Sequence, residues 1–140
     1  MLSLWCASLN LRTVETYQTN VMGTLNLLEA LRPLEKISIT ILIASDKCYD
    51  NDDWIWDYRE TDTLGVKDPY SASKGAAELV IRSHLDLFFP KDGPVRIGVG
   101  YAGKVHGGGN WAQDRFVPDY VSSWVKEESV PLRNLQAFVR

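Results

Sequence analysis

The sequence is poor in the residues that build disulfide or metal centres. Its 140 residues include only two cysteines, Cys6 and Cys48, and two histidines, His84 and His106. None of the four has a partner at the short spacings typical of zinc or disulfide frameworks. We therefore expect reduced thiols and no bound metal. Both histidines are predicted to be structural, because neither has a partner at catalytic spacing.

Long apolar runs and basic clusters are also missing. No stretch reaches the about 18 apolar residues that span a bilayer, and residues 1–12 lack the basic start of a secretory signal. The net charge is −3, and the lysines and arginines are scattered, which argues against nucleic acid and membranes as partners. The composition, 45% apolar and 24% charged, is typical of one globular unit. We expect a cytoplasmic protein.

The chain does contain alternating helical and strand patterns. Apolar residues recur at three- and four-residue steps over residues 12–31, which predicts an amphipathic helix. Residues 37–44 form a nearly continuous β-branched run, typical of a strand covered on both faces. A second helix is predicted over 70–88, a second strand over 94–100 and a third helix over 116–127, with loops at 48–69 and 103–114. This order predicts a doubly wound α/β fold with a parallel sheet.

Candidate chemistry lies where the first strand ends and the second helix begins. Ser45, Asp46 and Lys47 follow the strand, and ligands of such sheets bind at the carboxyl ends of the strands. Tyr70 and Lys74 are four residues apart, so they project from one helix face. A Tyr base near pH 7 needs its pKa lowered by roughly 3 units, or about 4 kcal/mol. A positive charge about 4 Å away supplies that only where water is excluded, so ordinary surface pairs remain the alternative.

Several segments carry a resemblance to a known family. The Tyr-x-x-x-Lys spacing resembles the catalytic signature of the extended short-chain dehydrogenase/reductases. Within them the chain resembles the CDP-glucose 4,6-dehydratases, from about residue 14 onward. The segments that match are NVMGTLNLLEALR (20–32), SDKCYDN (45–51), YRETD (58–62), DPYSASKGAAELV (68–80), GGGNWAQDRFVPD (107–119) and VPLRN (130–134).

The resemblance implies an NAD-dependent reaction on CDP-glucose. Hydride leaves C4, water is eliminated across C5 and C6, and hydride returns to C6, giving CDP-4-dehydro-6-deoxyglucose. Tyr70 would take the C4 hydroxyl proton, and Ser45 would hydrogen-bond the same hydroxyl. Lys74 would lower the pKa of Tyr70 and hold the nicotinamide ribose, with Asn20 supporting Lys74 through water. For Asn20, a polar position on the outer helix face remains the alternative.

The elimination step would fall to the strand-end pair. Asp46 would protonate the departing C6 hydroxyl and Lys47 would handle the C5 proton. The ordinary pKa values of Asp and Lys, about 3.9 and 10.4, favour the opposite protonation states, but removal of water shifts both groups in the required direction. Lys47 would therefore either become neutral in a closed, dry complex or stay cationic and stabilise the enolate. A surface ion pair between the two is the alternative.

The remaining implied residues concern the substrate and the assembly. Lys104, Asn110, Arg115 and Arg133 match positions near the sugar nucleotide, although surface arginine remains an equal alternative for the last two. Relatives dimerise through two long helices, so a homodimer is expected for the full-length enzyme. Tyr101 stands where the family usually has Arg, Lys104 where it has Asn, and Asn110 where it often has Asp. These departures predict an altered affinity for the substrate.

The chain also lacks the glycine-rich turn that Rossmann-type sites use for the pyrophosphate, since no G-x-x-G-x-x-G occurs in it. We expect residues 1–140 to be a partial NAD-binding Rossmann-like domain, without the N-terminal glycine-rich half and the C-terminal lobe. Residues from about 104 to 140 would begin the substrate-binding region. The alternatives are another NAD-dependent nucleotide-sugar epimerase or dehydratase, or a truncated, inactive chain.

Overall fold

The computed structural model describes residues 11–50, 56–65, 67–103, 105, 107–109, 111 and 115–130. The helices and strands in these ranges are α1 (Thr13–Tyr17), a π-helical segment (Gln18–Met22), α2 (Gly23–Leu31), β1 (Ser38–Ser45), a 3-10 turn (Asp46–Cys48), α3 (Pro69–Phe88), β2 (Val95–Ala102) and α4 (Phe116–Val125). The predicted order of helix, strand, helix, strand, helix is confirmed. Within these ranges, no helix combines the length and the apolar character needed to cross a bilayer.

The first predicted helix is present, but a π turn divides it. The Thr24 hydroxyl donates to the Asn20 carbonyl at 2.6 Å inside this stretch. Because a π turn holds more residues than an α turn, the helix faces before and after it do not align. The predicted apolar face is therefore not the buried face before the π turn: Val14 is 70% exposed, whereas Thr16 is buried.

The two strands pair in parallel along their whole length. Ser38 lies opposite Val95, and Ser45 lies opposite Ala102. The strands end one and two residues later than predicted, so Ser45 is the last residue of β1 and not the first residue after it. The hydroxyl of Ser45 is thereby fixed by the sheet.

The core lies on one face of this sheet. Leu42 of β1 and Val95 of β2 pack with Leu28, Ile81 and Phe89, which come from α2, α3 and the residue that follows α3. Residues on the opposite face of β1 are largely exposed: Ile39, Ile41 and Ile43. Cover on both faces was predicted, and among the described residues this prediction is wrong, because α2 and α3 contribute to the same side.

Helix α3 starts with a well-formed cap. The Asp68 carboxylate accepts hydrogen bonds from the backbone N–H groups of Tyr70, at 3.0 Å, and Ser71, at 3.1 Å. Pro69 occupies the first turn, where its missing N–H costs nothing. The helix spans 69–88, within one residue of the predicted bounds. The cap thus fixes where the face that carries Tyr70 and Lys74 begins.

Helix α4 ends two residues before the predicted limit. Glu127 has a positive φ of 57°, and the N–H of Glu128 donates to the Ser123 carbonyl at 2.9 Å. This pattern closes a helix by turning the chain out of the α conformation.

Candidate active site

The strand-end triplet forms a compact turn. The Ser45 hydroxyl donates to Asp46 Oδ1 at 3.1 Å and accepts from the Lys47 backbone N–H at 3.3 Å. The three residues from Asp46 to Cys48 make one 3-10 turn, with Asp46 half-buried, Lys47 exposed and Cys48 buried. The apolar strand therefore ends in a hydrogen-bonded hydroxyl and carboxylate with an ammonium group beside them in solvent.

This turn packs directly against α3. A methyl group on Gly75 would lie 3.5 Å from the Cys48 carbonyl oxygen. The same carbonyl accepts the Gly65 backbone N–H at 2.8 Å, which ties the segment before α3 to the turn. The structure therefore brings the Asp46–Cys48 turn against the helix that carries Tyr70 and Lys74.

Tyr70 and Lys74 face each other along the first turns of α3. Lys74 Nζ lies 5.8 Å from the centre of the Tyr70 ring, and burial lowers the pKa of Lys74. The structure therefore places the ammonium group of Lys74 beside the phenol of Tyr70. A positive charge in this position favours the phenolate most strongly where water is excluded.

Asn20 reaches α3 one position before Lys74. Its Nδ2 donates to the hydroxyl of the buried Ser73 at 2.9 Å, and that hydroxyl donates to the Tyr70 carbonyl at 2.7 Å. Through the Ser73 hydroxyl, Asn20 is therefore linked to the backbone of α3 at Tyr70. The water-mediated support of Lys74 by Asn20 stays a prediction.

Most of the predicted substrate residues lie outside the described residues: Lys104, Asn110 and Arg133. Arg115 is described and exposed at the residue that precedes α4, and its backbone carbonyl accepts the Asp119 N–H at 2.9 Å. The roles of all four residues stay predictions. Cys6 and His106 also lie outside the described residues.

Sequence reasoning missed a polar cluster next to this site. Glu78, which is 2% exposed, accepts hydrogen bonds at Oε1 from Arg82 Nε, at 2.9 Å, and from the Tyr101 hydroxyl. Lys74, Glu78 and Arg82 follow one another at four-residue steps, so the helical half of the cluster was visible in the sequence. The partner on β2 was not.

A cavity of about 400 Å³ adjoins the cluster and the turn. Its walls include Asp46, Tyr49, Tyr58 and Tyr101. The ring of Tyr49 stacks on Tyr58 with centroids 5.3 Å apart, and it lies 5.6 Å from the ring of Tyr101. The carboxylate of Asp46 therefore borders an aromatic-walled space.

His84 was predicted to be structural and Cys48 to be a reduced thiol, and both agree with the structure. His84 Nδ1 lies 2.9 Å from the Val80 carbonyl, and Nε2 lies 3.1 Å from Glu29 Oε1, which joins α3 to α2. Cys48 is a free thiol. Burial raises its pKa to about 11, with a further contribution from the charge of Glu78. A thiol of this kind is inert at neutral pH.

Comparison with known proteins identifies the family. Residues 10–87, more than half of the chain, match the family of GDP-mannose 4,6-dehydratases. The chain belongs to this family. It is 47% identical over 125 residues to a CDP-glucose 4,6-dehydratase of Salmonella typhimurium, a match that covers 86% of this chain and 35% of that protein. The chain therefore spans about a third of the length of the relative that it matches.

Two solved structures share the fold. A candidate epimerase from Burkholderia cenocepacia superposes with a TM-score of 0.67 at 25% identity, over 83% of this chain and 36% of that protein. A dTDP-glucose 4,6-dehydratase from Streptomyces venezuelae, solved with NAD bound, gives 0.64 at 22% identity, over 83% and 34%. The second likeness bears on the fold alone. The predicted Rossmann-like α/β class and the predicted family resemblance are both confirmed.

Proposed function

We propose that this chain forms the catalytic part of an NAD-dependent nucleotide-sugar 4,6-dehydratase that acts on CDP-glucose. The observation that carries the proposal is the Asp46–Cys48 turn packed against the helix of Tyr70 and Lys74. Ser45 at the end of β1 supplies a hydroxyl, the turn supplies an acid and an amine, and the helix supplies a phenol and a second amine. The name of the Salmonella relative, a CDP-glucose 4,6-dehydratase, supports the choice of substrate.

The described residues fit one end of NAD. Tyr70 and Lys74 offer a hydroxyl and an ammonium group about one helical turn apart, suited to the hydroxyl groups of the nicotinamide ribose. Bound NAD would take up a hydride from the sugar and return it. The backbone donors for the pyrophosphate would have to come from a glycine-rich turn, and that turn is not part of this sequence.

Removal of the C4 hydroxyl proton falls to Tyr70. The positive charge of Lys74 stabilises the phenolate, and the effect grows as the substrate displaces water. The Ser45 hydroxyl, which is held by Asp46 and by the Lys47 backbone, accepts or donates at the same sugar hydroxyl. With the C4 hydride taken up by bound NAD, removal of this proton by the three groups would leave a ketone at C4.

Elimination falls to Asp46 and Lys47. A ketone at C4 makes the C5 proton acidic, and loss of that proton breaks the C6–O bond. If Lys47 is a neutral amine, it takes the C5 proton and a protonated Asp46 donates its own proton to the departing oxygen to form water. If Lys47 stays cationic, the Asp46 carboxylate takes the C5 proton and passes it to the departing oxygen. Lys47 is exposed, so its ammonium keeps its water until a substrate covers it. A cationic Lys47 that stabilises the enolate is therefore the role that the open site supports, and a neutral base requires closure.

The direct test is conversion of CDP-glucose by the full-length protein with NAD. We expect a product lighter by one water, detected by mass spectrometry, and near-complete loss of turnover in Tyr70→Phe and Asp46→Asn. An epimerase would instead give a product of unchanged mass, so this measurement separates the two activities. Unchanged turnover in Asp46→Asn would contradict the elimination mechanism.

The role of Lys47 is tested by exchange of the C5 proton with deuterated solvent. Lys47→Met should slow the incorporation of deuterium if Lys47 acts as base or enolate stabiliser. Incorporation at the wild-type rate would exclude the base role. Lys47→Arg, which retains a cation that stays charged, distinguishes the two: only a stabiliser tolerates it.

The short chain itself gives a second test. We expect the 140-residue chain alone to bind NAD weakly or not at all in calorimetry, since it lacks donors for the pyrophosphate. Clear micromolar binding would contradict this expectation. We further propose that the full-length enzyme works in the cytoplasm as a homodimer, which sedimentation of the full-length protein would test.

A further inference from the structure

Tyr101 occupies a junction between the two strands and α3. It is the last residue but one of β2 and lies opposite Ala44 in the parallel register. Ser45 and Asp46 follow immediately on β1. The side chain of Tyr101 is therefore attached to the sheet beside the origin of the Asp46–Cys48 turn.

The ring of Tyr101 contacts the segment that closes this turn. Tyr49, whose ring is 5.6 Å away, is buried, and its backbone N–H donates to the Asp46 carbonyl at 3.1 Å. Movement of the Tyr101 ring would therefore displace the residue that holds the end of the Asp46 turn.

The hydroxyl of Tyr101 contacts the other half of the site. It donates to Oε1 of Glu78, which is one helical turn beyond Lys74 on α3. Burial raises the pKa of Tyr101, and the Glu78 hydrogen bond raises it further, so the hydroxyl keeps the proton that it donates. Glu78 Oε2 is buried and has no hydrogen-bond partner within the described part of the chain. The carboxylate thus depends on Tyr101 and Arg82.

Arg82 extends the link to a third segment. While its Nε donates to Glu78, its NH2 group donates to the Glu60 carbonyl at 3.1 Å. The buried carboxylate therefore ties β2, α3 and the segment before α3 together around the site.

We propose that Tyr101 is a positioning residue. By joining Tyr49 to Glu78, it keeps the Asp46–Cys48 turn in a fixed position relative to Tyr70 and Lys74. The effect of Tyr101 on catalysis rests on the proposed function, whereas its contacts with Tyr49 and Glu78 do not depend on it. Tyr101 stands where the resembling family usually has Arg. The structure gives it a partner in the protein, Glu78, and the altered affinity for the substrate stays a prediction.

The catalytic test is Tyr101→Phe in the full-length protein, assayed well below its unfolding temperature. Misplaced catalytic groups slow the chemical step, so kcat should fall about tenfold while KM for CDP-glucose changes by less than about twofold. Tyr101→Arg offers donors to Glu78 but no ring to Tyr49, so it should restore kcat only in part. Ser83→Ala, which removes an exposed hydroxyl from α3, serves as the control and should leave both constants unchanged.

A readout without turnover uses hydrogen exchange on the same variants. The Tyr49 amide should exchange about tenfold faster in Tyr101→Phe, while the amides of β1 stay as protected as in the wild type. The proposal is overturned if the Tyr49 amide is unaffected, if all amides lose protection equally, or if kcat is unchanged. Faster exchange at Tyr49 in a protein that does not dehydrate CDP-glucose would uphold the positioning role and refute the proposed function.

Discussion

The two faces of the β1–β2 sheet have opposite environments although their residues alternate along the same strand. Leu42 is 9% exposed and packs with α2 and α3, whereas its neighbours Ile41 and Ile43 are 65% and 74% exposed. Opposite them on β2 stand Gly98 and Gly100, which add no side chain. The helix that carries Tyr70 and Lys74 packs on the covered face.

This difference shows what a strand pattern does and does not report. A continuous apolar run is typical of a strand buried on both faces. It shows that both faces are apolar, but it does not show that both are covered. The described residues supply the contact on one face only. We therefore expect substitutions on the covered and the open face to have very different effects.

The largest effect is expected from adjacent residues of β1. Leu42→Ala should lower the free energy of unfolding by about 3 kcal/mol, because it leaves a cavity between the sheet and the helices. Ile41→Ala should cost less than about 1 kcal/mol, because its side chain is already in solvent. Urea unfolding followed by circular dichroism measures both. Equal losses would show that the open face is covered in solution, and sedimentation would then reveal self-association.

The next effect concerns the buried carboxylate on the covered side. Arg82→Met should cost about 2 kcal/mol, because Glu78 loses its cationic partner while remaining buried; the value is reduced because Arg82 itself is partly exposed. The comparison is Arg96→Met on the open face, which should change stability by less than about 0.5 kcal/mol. Chemical unfolding of the two variants at one salt concentration provides the measurement.

The dependence of stability on pH tests the burial of the Cys48 thiol. The pKa of Cys48 is raised to about 11 by burial, so the folded protein holds the thiol proton more tightly than the unfolded chain. Stability from this group is complete below pH 9 and falls by at most about 3 kcal/mol, or about 1.4 kcal/mol per pH unit, as the pH rises from 9 to 11. Cys48→Ala should remove that part of the slope. An identical alkaline slope in both proteins would contradict the assignment.

The cap of α3 gives a smaller effect. Asp68→Ala should cost about 1 kcal/mol, because two N–H groups at the start of the helix lose their acceptor. Asp68→Asn retains a side-chain oxygen and should cost only a few tenths. Thermal unfolding of the three proteins should place the Asn variant close to the wild type, and an Asn variant as unstable as the Ala variant would argue against capping.

The smallest stability change is expected on the open face itself. The double variant Ile41→Thr with Ile43→Thr should leave the free energy of unfolding within about 1 kcal/mol of the wild type. It should, however, clearly reduce the fluorescence of an apolar dye, because these side chains form a continuous exposed surface. Leu87→Thr, at an exposed position on α3, is the control and should leave the dye signal unchanged.

Much of the local architecture was predictable because its causes are close in sequence. Pro69 and the Asp68 cap define the start of α3, and the end of the β-branched run places Ser45 to Lys47 at the edge of the sheet. The rule for strand ends indicated a ligand site there, whereas the packing of that turn against the Tyr70 helix is seen only in the structure. The substrate roles of Lys104, Asn110 and Arg133 are still predictions.

Other features depend on residues that are distant in sequence. The π turn at Asn20 shifted the helix face, although the periodicity of residues 12–31 gave no sign of it. Glu78 and Tyr101 are 23 positions apart, and no spacing rule connects a helix residue with a particular strand residue. Tyr101 therefore appeared in the sequence as a departure from the family, whereas in the structure it is a donor to a buried carboxylate.

The sequence by itself determined the order of the elements, the limits of α3, the residues at the strand end and the family resemblance, because caps, periodicity and motifs act over a few residues. Only the tertiary structure decided which face of β1 is covered, where Asn20 donates, and which group receives the Tyr101 hydroxyl. These outcomes depend on how helices and strands pack, and a buried polar group is satisfied by whatever partner that packing brings within hydrogen-bond distance.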